Sequence, residues 1–298
     1  MTPLEEAPAP LACGRRLLLK REDVHELGAF KWRGALPTLE RWRDEGVTTA
    51  MTASTGNHGA ATAWAAGRLG IGAVVFVPEG ASRSKLALLD ELGAEVRVAG
   101  RDLDEAKEEA RRAAAGDDVR FFEDGAERAQ YDGYRAIGRE LLDQVEEPPR
   151  AVVVPVGNGA LLGGVGLEVC RRIPERIGVA AKEAPVMAES WAAGEPVESD
   201  RCATIADGLA VRVAIPLAVR VIGEVATRML VVSERAIARA LIAFADAGLR
   251  VEPAAAAGLA ALEQLDDVRG PVVLVVTGRN IDEELLTRAR ERPESFPD

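Results

Sequence analysis

The sequence predicts an α/β fold in which parallel sheets carry helices on both faces, and three kinds of signal support that class. Apolar runs of strand length alternate with helix-like segments, hydroxyl residues stand where helices would begin, and glycines stand where they would end. Strands that alternate with helices of about 10–15 residues are typical of βαβ units. Eight strands are predicted, at Leu17–Lys20, Thr48–Ala53, Ala73–Pro78, Glu95–Ala99, Ala151–Val156, Gly178–Ala181, Met229–Val232 and Val272–Thr277.

The helix boundaries are indicated by capping residues. Ser82 is placed to cap a helix over Arg83–Leu92, and Ser233 to cap one over Glu234–Ala247. A serine hydroxyl at this position accepts a hydrogen bond from an N–H group of the first turn. Glycine adopts the left-handed conformation that ends many helices. The predicted helix ends are Gly70, Gly93 and Gly248.

Composition narrows the possible functions. The chain has 298 residues, of which 48% are hydrophobic and 29% are charged, a balance that supports one large or two modest globular domains. Its net charge of −11 argues against a nucleic-acid partner, because binding to phosphate backbones needs clustered Lys and Arg. No apolar run approaches the roughly 20 residues of a membrane helix, and the first ten residues lack the pattern of a signal peptide. We therefore expect a cytoplasmic protein without a membrane partner.

Cysteine and histidine are too sparse to build a metal site. The three cysteines, Cys13, Cys170 and Cys202, are far apart, and the two histidines are His25 and His58. Neither set has the spacing of a disulfide framework or a zinc site. We therefore expect neither a zinc site nor a histidine-rich metal site.

Lys31 lies in the segment Gly28–Ala35, between two aromatic residues. The chain has only five lysines, and a purely solvated basic role is usually filled here by arginine. A lysine among apolar side chains can present a neutral amine, which attacks aldehydes and ketones. The alternative is a surface lysine whose aliphatic stem covers apolar neighbours. The residues alone leave both interpretations open.

Two turns between a strand and a helix could bind anions. Ser54–Gly59 follows the predicted strand Thr48–Ala53, and its small residues can expose N–H groups at the positive end of a helix. The alternative is an ordinary helix cap. The second turn, Gly157–Gly164, is rich in glycine but lacks both the GxGxxG spacing and the lysine of a P-loop. It fits a phosphate held by main-chain N–H groups, or alternatively a tight corner without a ligand.

In this order, the segments resemble the fold-type II pyridoxal 5′-phosphate (PLP) enzymes, and within them the serine/threonine dehydratase branch. The resemblance covers nearly the whole chain. The motifs that carry it are Thr2–Leu4, Lys20–Asp23, Gly28–Ala35, Ser54–Gly59, Gly157–Leu161, Thr204–Ala210, Val251–Pro253 and Val276–Asn280.

The resemblance implies a tryptophan-synthase β-like architecture of two parallel-sheet domains with PLP between them. Residues 1–50 and 128–298 would form a large PLP-binding domain, and residues 51–127 a small mobile substrate-binding domain. A homodimer is usual in this family.

The resemblance also implies roles for the site residues. Lys31 would bind PLP covalently and, once released by the substrate amine, remove the proton from Cα. Phe30 would lie against the cofactor ring, Asn57 would bond the ring oxygen, and Thr277 would sit at the pyridine nitrogen. The remaining cofactor-binding residues would be Gly157, Asn158, Gly159, Ala160 and Leu161, whose N–H groups bind the phosphate, together with Glu252. The substrate-binding residues would be Ser54, Thr55, Gly56, His58 and Gly208.

Several positions depart from the family pattern. Thr55 stands where dehydratases more often have alanine and serine racemases have serine, so a second acid/base group is in doubt, and His58 is an alternative candidate. Asn158 and Ala160 replace glycines of the usual phosphate turn, which constrains close approach to a ligand. Arg279 replaces a glycine next to the residue at the ring nitrogen. Ala180–Glu183 lacks the acidic arrangement of the cation site of the racemases, so the resemblance implies no required metal.

The reaction that follows from the resemblance is α,β-elimination from a small β-hydroxy amino acid such as threonine or serine, giving a 2-oxo acid and ammonia. A threonine-synthase-like β-replacement, a racemisation and ammonia loss from another amino acid are alternatives on the same scaffold. The segment Thr204–Leu209 favours the dehydratase. An inactive relative that only binds PLP or an amino acid is an alternative of another class.

Overall fold

The computed structural model describes residues 1–12, 14–199 and 202–298, so Cys13 of the cysteine pattern lies outside the described residues. The described strands are β1 (Leu4–Glu6), β2 (Leu17–Arg21), β3 (Thr49–Ala53), β4 (Gly72–Val77), β5 (Glu95–Val98), β6 (Val119–Phe121), β7 (Ala151–Pro155), β8 (Glu175–Ala181), β9 (Arg228–Val232) and β10 (Val272–Val276). The described helices are α1 (Ala9–Ala12), α2 (Trp32–Asp44), α3 (Asn57–Leu69), α4 (Arg83–Glu91), α5 (Leu103–Ala113), α6 (Arg128–Gln144), α7 (Ala160–Val169), α8 (Val186–Ala193), α9 (Pro216–Val225), α10 (Glu234–Asp246), α11 (Pro253–Ala260) and α12 (Glu283–Glu291).

The chain divides into two compact units. The larger unit contains Met1–Phe30 and Tyr134–Asp298, and the smaller unit contains Lys31–Gly133. The smaller unit therefore takes in residues 31–50 and 128–133, which the sequence assigned to the large domain. The mobility expected of the small domain stays a prediction.

The larger unit is built on a six-stranded sheet in the order β1-β2-β10-β7-β8-β9. All neighbouring strands are parallel except β1 and β2, which are antiparallel. Every residue of β7 and of β10 is buried, and both strands consist almost entirely of valine, alanine and leucine. Continuous apolar strands of this kind are typical of parallel sheets that are covered on both faces.

Within the larger unit, Lys20 of β2 is fully buried and fixes the start of the chain. Its ammonium group donates to Oε2 of Glu140 at 2.9 Å, to the carbonyl of Thr2 at 2.8 Å and to Oε1 of Gln144 at 2.9 Å. These three acceptors match the three donors of an ammonium group, so the buried charge is fully compensated. The conspicuous Lys20–Asp23 segment thus has a structural part in the fold.

The smaller unit is built on a four-stranded, all-parallel sheet in the order β5-β4-β3-β6. Helix α2 packs against α3, with an edge-on contact of 6.0 Å between the ring centroids of Trp32 and Trp64. At Gly133 a Cβ atom would collide with the backbone carbonyl of Arg33. These contacts explain why α2, which precedes the predicted small domain, belongs to this unit.

The fold class and all eight predicted strands are confirmed, with boundaries that shift by three residues or fewer. Ser82 and Ser233 cap α4 and α10 as predicted, and Gly70 ends α3 in the left-handed conformation. The strands β1 and β6 were not predicted, because three residues are too few to show an alternating pattern. Among residues 1–12, 14–199 and 202–298, none of the helices has the length and apolar character needed to cross a bilayer.

Candidate active site

In the smaller unit, Lys31 is paired with an acidic residue that the sequence did not single out. Lys31 directly precedes α2, and its ammonium group donates a hydrogen bond to Oδ2 of Asp124. The two side chains are 15% and 22% exposed, so the pair is shielded without being sealed from solvent. An amine held in this way has a fixed position and a partner for its proton.

Asp124 also accepts a hydrogen bond from the side-chain amide of Gln130, and its neighbours keep it ionised. Gln130, which is fully buried, donates from Nε2 to Oδ1 of Asp124 at 2.5 Å and accepts at Oε1 from the Gly125 N–H at 2.7 Å. Burial by itself raises the pKa of Asp124, but the charge of Lys31 and the hydrogen bonds from Lys31 and Gln130 outweigh this effect, and the pKa lies at about 2. The Asp124 carboxylate therefore stays ionised at neutral pH.

His58, in the first turn of α3, lies next to Asp124. Its side chain is buried, its Nδ1 lies 3.6 Å from Oδ1 of Asp124, and its Nε2 lies 3.2 Å from the carbonyl of Phe122. Because a carbonyl only accepts, Nε2 carries the hydrogen. Burial is the largest effect and lowers the pKa of His58, against the opposing charge of Asp124. His58 is thus a neutral side chain that lies beside the Lys31–Asp124 pair, with its one N–H bonded to the Phe122 carbonyl.

The turn Ser54–Asn57 lies at the carboxyl end of β3, in the same unit. The hydroxyl of Ser54 accepts a hydrogen bond from the Gly56 N–H at 3.1 Å, and Gly56 is the residue that caps α3. At Gly59 a Cβ atom would lie 2.7 Å from the carbonyl oxygen of Ser54, so the turn can close tightly only over glycine. The turn presents the N-terminus of α3, as the sequence predicted.

The register of the sheet explains why Asp124 belongs with this turn. Strands β3 and β6 are parallel neighbours, with Met51 opposite Phe121. Ser54 follows the end of β3, and Asp124 follows the end of β6. Carboxyl ends of parallel strands lie at one edge of a sheet, which is where such folds place their ligands. Asp124 was missed because β6 is too short to be predicted.

In the larger unit, the turn between β7 and α7 is tight and requires glycine at two positions. A Cβ atom at Gly157 would collide with the carbonyl oxygen of Gly208, and Gly159 has a φ of +92°. The structure thus brings together two predicted site residues that are 51 positions apart. The Ala160 N–H, predicted to bind phosphate, here donates to Oδ1 of Asn158 at 3.0 Å. The Ala160 N–H could bind an anion only after its hydrogen bond to the Asn158 side chain is broken.

The end of β10 carries a second buried polar pair. Thr277 donates from Oγ1 to Oε1 of Glu252 at 2.9 Å, and the two residues are 2% and 6% exposed. The N–H of Phe30 donates to the Thr277 carbonyl at 3.0 Å, and the Phe30 ring packs on Tyr134 at 5.2 Å between centroids. Phe30, Glu252 and Thr277, all predicted to contact the cofactor, are therefore joined in one hydrogen-bonded group.

Arg279, which departs from the family pattern, is hydrogen-bonded to the loop that precedes Phe30. Its guanidinium group donates to the carbonyls of Asp23 and His25, and its N–H donates to the Gly28 carbonyl at 2.8 Å. Asn280 adds a bond from Nδ2 to the Leu27 carbonyl at 2.8 Å. The loop that leads to Phe30 is thereby tied to the residues after β10.

The donor set fits PLP. A shielded lysine amine suits an aldehyde, a glycine turn without room for side chains suits a phosphate, and a buried hydroxyl suits a ring nitrogen. Within the described part of the chain, no three His, Cys, Asp or Glu side chains are grouped so that they could hold a metal ion.

Comparison with known proteins agrees with this chemistry. A family model described as "Pyridoxal-phosphate dependent enzyme" matches residues 1–278. The chain is 33% identical over 283 residues to the L-threonine ammonia-lyase of Thermotoga maritima, covering 92% of this chain and 70% of the relative.

Two solved structures show how far the similarity extends in three dimensions. The processed form of threonine deaminase isoform 2 from Solanum lycopersicum superposes with a TM-score of 0.91 at 28% identity, covering 97% of this chain and 87% of the other. Maize serine racemase superposes with a TM-score of 0.88 at 26% identity, covering 99% and 92%.

Proposed function

Because the chain belongs to the family of pyridoxal-phosphate-dependent enzymes, we propose that it deaminates L-threonine or L-serine with PLP bound at Lys31. The chain is a lyase of the threonine and serine ammonia-lyase type, like the relatives that it resembles over more than nine-tenths of its length. The observation that supports this role for Lys31 is its largely buried ion pair with Asp124. In the net reaction, threonine would give 2-oxobutanoate and ammonia, and serine would give pyruvate and ammonia.

The residues would divide the work as follows. Main-chain N–H groups of Gly157–Leu161 would hold the phosphate, Phe30 would lie against the ring, and Thr277 with Glu252 would meet the ring nitrogen. Asn57 would bond the ring oxygen. When bound, PLP supplies the electron sink for the pair of electrons released at the substrate Cα.

Lys31 would act at the substrate with Asp124 as its support. The Lys31 amine would take the proton from Cα, Asp124 would lie beside the resulting ammonium group, and the β-hydroxyl would leave with a proton as water. Because Asp124 stays ionised at neutral pH, a negative charge would lie beside the ammonium group formed in this step. Ser54, Thr55 and Gly56 would bind the substrate carboxylate at the N-terminus of α3, with Gly208 at the border of the pocket.

His58 would have a supporting part. Its Nε2–H donates to the Phe122 carbonyl, and its Nδ1 lies 3.6 Å from Oδ1 of Asp124, so neither nitrogen would be available as a donor to the substrate. We propose that His58 shields the Lys31–Asp124 pair from water by packing beside it.

The test is a 2-oxo-acid assay with purified protein and PLP against L-threonine, L-serine and other β-hydroxy amino acids. We expect a 2-oxo acid and an equal amount of ammonia from at least one of them. If none is formed from any member of the panel, the lyase assignment to these substrates is refuted.

Racemisation is a second candidate, because maize serine racemase superposes over 99% of the chain. The same reactions, analysed by chiral chromatography, separate the two. Accumulation of the D-amino acid without 2-oxo acid would favour a racemase, and 2-oxo acid without the D-isomer would favour the lyase.

A further inference from the structure

Asn158 engages a hydrogen-bond donor of the turn that is proposed to hold the phosphate. Its Oδ1 accepts the Ala160 N–H at 3.0 Å. Ala160 is the first residue of α7, so its N–H has no acceptor within the helix. Ala160 is 1% exposed, and a buried N–H group without a partner is costly. The Asn158 side chain therefore satisfies this N–H whenever no ligand does.

The rest of the turn offers no polar side chain that could do the same. Among residues 157–161, Asn158 has the only polar side chain, and it is half-buried. Both of its neighbours are confined to glycine. A Cβ atom at Gly157 would collide with the Gly208 carbonyl oxygen, and Gly159 has a φ of +92°, which disfavours any other residue. Position 158 is thus the place in this turn where a side chain can change what the N–H groups bind.

An anion that binds this N–H has to displace the Asn158 oxygen first. A net hydrogen bond between neutral groups shifts an equilibrium by roughly 2- to 12-fold. A phosphate carries negative charge and is a stronger acceptor than an amide oxygen, so it can replace that oxygen. The affinity for the phosphate is nevertheless reduced by the factor that the internal bond supplies. A glycine at position 158, as in the family pattern, has no side chain to compete.

We propose that Asn158 is an internal competitor for the phosphate of PLP, which stabilises the turn before the cofactor binds and lowers the affinity for the cofactor. This inference rests on the proposed function, since it requires PLP in the site. Both effects come from one hydrogen bond, so the stability that the bond adds to the PLP-free turn is the affinity that PLP loses. Loading of the protein would then depend more closely on the PLP concentration than it would with glycine at position 158.

The test compares PLP with pyridoxal, which has the same aldehyde and ring but no phosphate. Each is titrated into the PLP-free protein, and the absorbance of the bound aldehyde gives the Kd. For PLP, Asn158→Ala should lower the Kd by roughly 2- to 12-fold, because it removes the competing oxygen. Asn158→Asp, which keeps the acceptor and adds a negative charge beside the phosphate, should raise the Kd of PLP by about 10-fold or more. In both variants the Kd of pyridoxal should change by less than about twofold.

Urea unfolding of the PLP-free proteins measures the other half of the coupling. Asn158→Ala should be less stable than the wild type, because the Ala160 N–H loses its acceptor. Asp102→Ala is the matched control, since Asp102 accepts the N–H two positions ahead, also at 3.0 Å, at the start of α5 in the smaller unit. This control should also lose stability, but it should leave the Kd of PLP and of pyridoxal unchanged.

The outcomes separate this inference from the proposed function. If the wild type shows no absorbance change with PLP or with pyridoxal, PLP binding and this inference are refuted together. If PLP binds, but its Kd in Asn158→Ala equals or exceeds that of the wild type, only the role of Asn158 is refuted. The same conclusion holds if the Kd of pyridoxal falls as much as that of PLP, since the effect would then not act on the phosphate. Circular dichroism verifies folding, and Asn158→Gly carries the same expectation if Asn158→Ala does not fold.

Discussion

The two compact units present their predicted site residues in different ways. In the smaller unit, Lys31 and Asp124 form an ion pair, and the neutral side chain of His58 lies beside it. In the larger unit, the turn at Gly157 is defined by backbone and by the absence of side chains. The comparison teaches that a neutral substitution of equal size should damage the first region, whereas added volume should damage the second.

The largest effect is expected from Lys31→Ala. Removal of the amine takes away both the covalent attachment of PLP and the base, so turnover should fall by about 10³-fold or more. Borohydride reduction of the wild-type protein with PLP should label the peptide that contains Lys31, and the variant should remain unlabelled. Lys107→Ala, which removes an exposed lysine of the same unit, is the control. Full labelling of another lysine in Lys31→Ala would contradict the assignment.

Asp124→Asn should come next, because it removes the charge of the cluster and keeps its shape. A hydrogen bond to a charged group contributes about 1.5–3 kcal/mol, so kcat should fall by roughly 10- to 100-fold. Steady-state kinetics should show most of the loss in kcat rather than in KM, since Asp124 is proposed to act through Lys31.

The control is Asp104→Asn, which removes the partner of Lys107 in an exposed pair at 3.9 Å. Exposed pairs of this kind contribute little, so its kinetics should match the wild type. Equal losses in the two aspartate variants would mean that the Lys31–Asp124 pair has no special part in the reaction.

Gly157→Ala tests the region defined by backbone. The added methyl group would meet the carbonyl oxygen of Gly208, so we expect a loss of roughly 1–3 kcal/mol in the free energy of unfolding and weaker PLP binding. Gly223→Ala is the matched control, because this helical glycine of α9 has open space around it and alanine favours helices by about 0.5–1 kcal/mol. Urea unfolding and PLP titration measure both effects. If Gly157→Ala changed neither the free energy of unfolding nor PLP binding, the turn would have room for a methyl group, and the close contact with Gly208 would be contradicted.

The smallest effect concerns the pH dependence of stability at His58. Burial lowers the pKa of His58 in the folded state below its ordinary value of 6.5. The unfolded chain therefore binds a proton that the folded chain does not bind as pH falls through that value. Stability present above pH 6.5 is therefore lost below it, by at most about 1.4 kcal/mol per pH unit for one proton.

His58→Gln, which keeps a donor for the Phe122 carbonyl, should reduce this loss. Urea unfolding at pH 7.5 and at pH 5.5 compares the two proteins. If the wild type and His58→Gln lose the same stability between these pH values, His58 is not a buried neutral histidine.

The sequence could predict those parts of the site that are contiguous in the chain. Ser54–Gly59 and Gly157–Leu161 each unite a strand end, small residues and a helix start in a few positions, so their local signals are complete. Lys31 stood out through its aromatic neighbours. Asp124 could not be found in this way, because it follows a three-residue strand and is 93 positions away from Lys31 in the chain.

What the sequence by itself determined is the alternation of strands and helices, the caps at Ser82 and Ser233, and the chemical character of the two turns, since each of these depends on residues within a few positions of one another. Only the tertiary structure decided which carboxylate faces the lysine, that Gly157 approaches Gly208, and that Thr277 donates a hydrogen bond to Glu252. These contacts join residues 25 to 93 positions apart, and parallel strands bring such residues together through a register that no local pattern records.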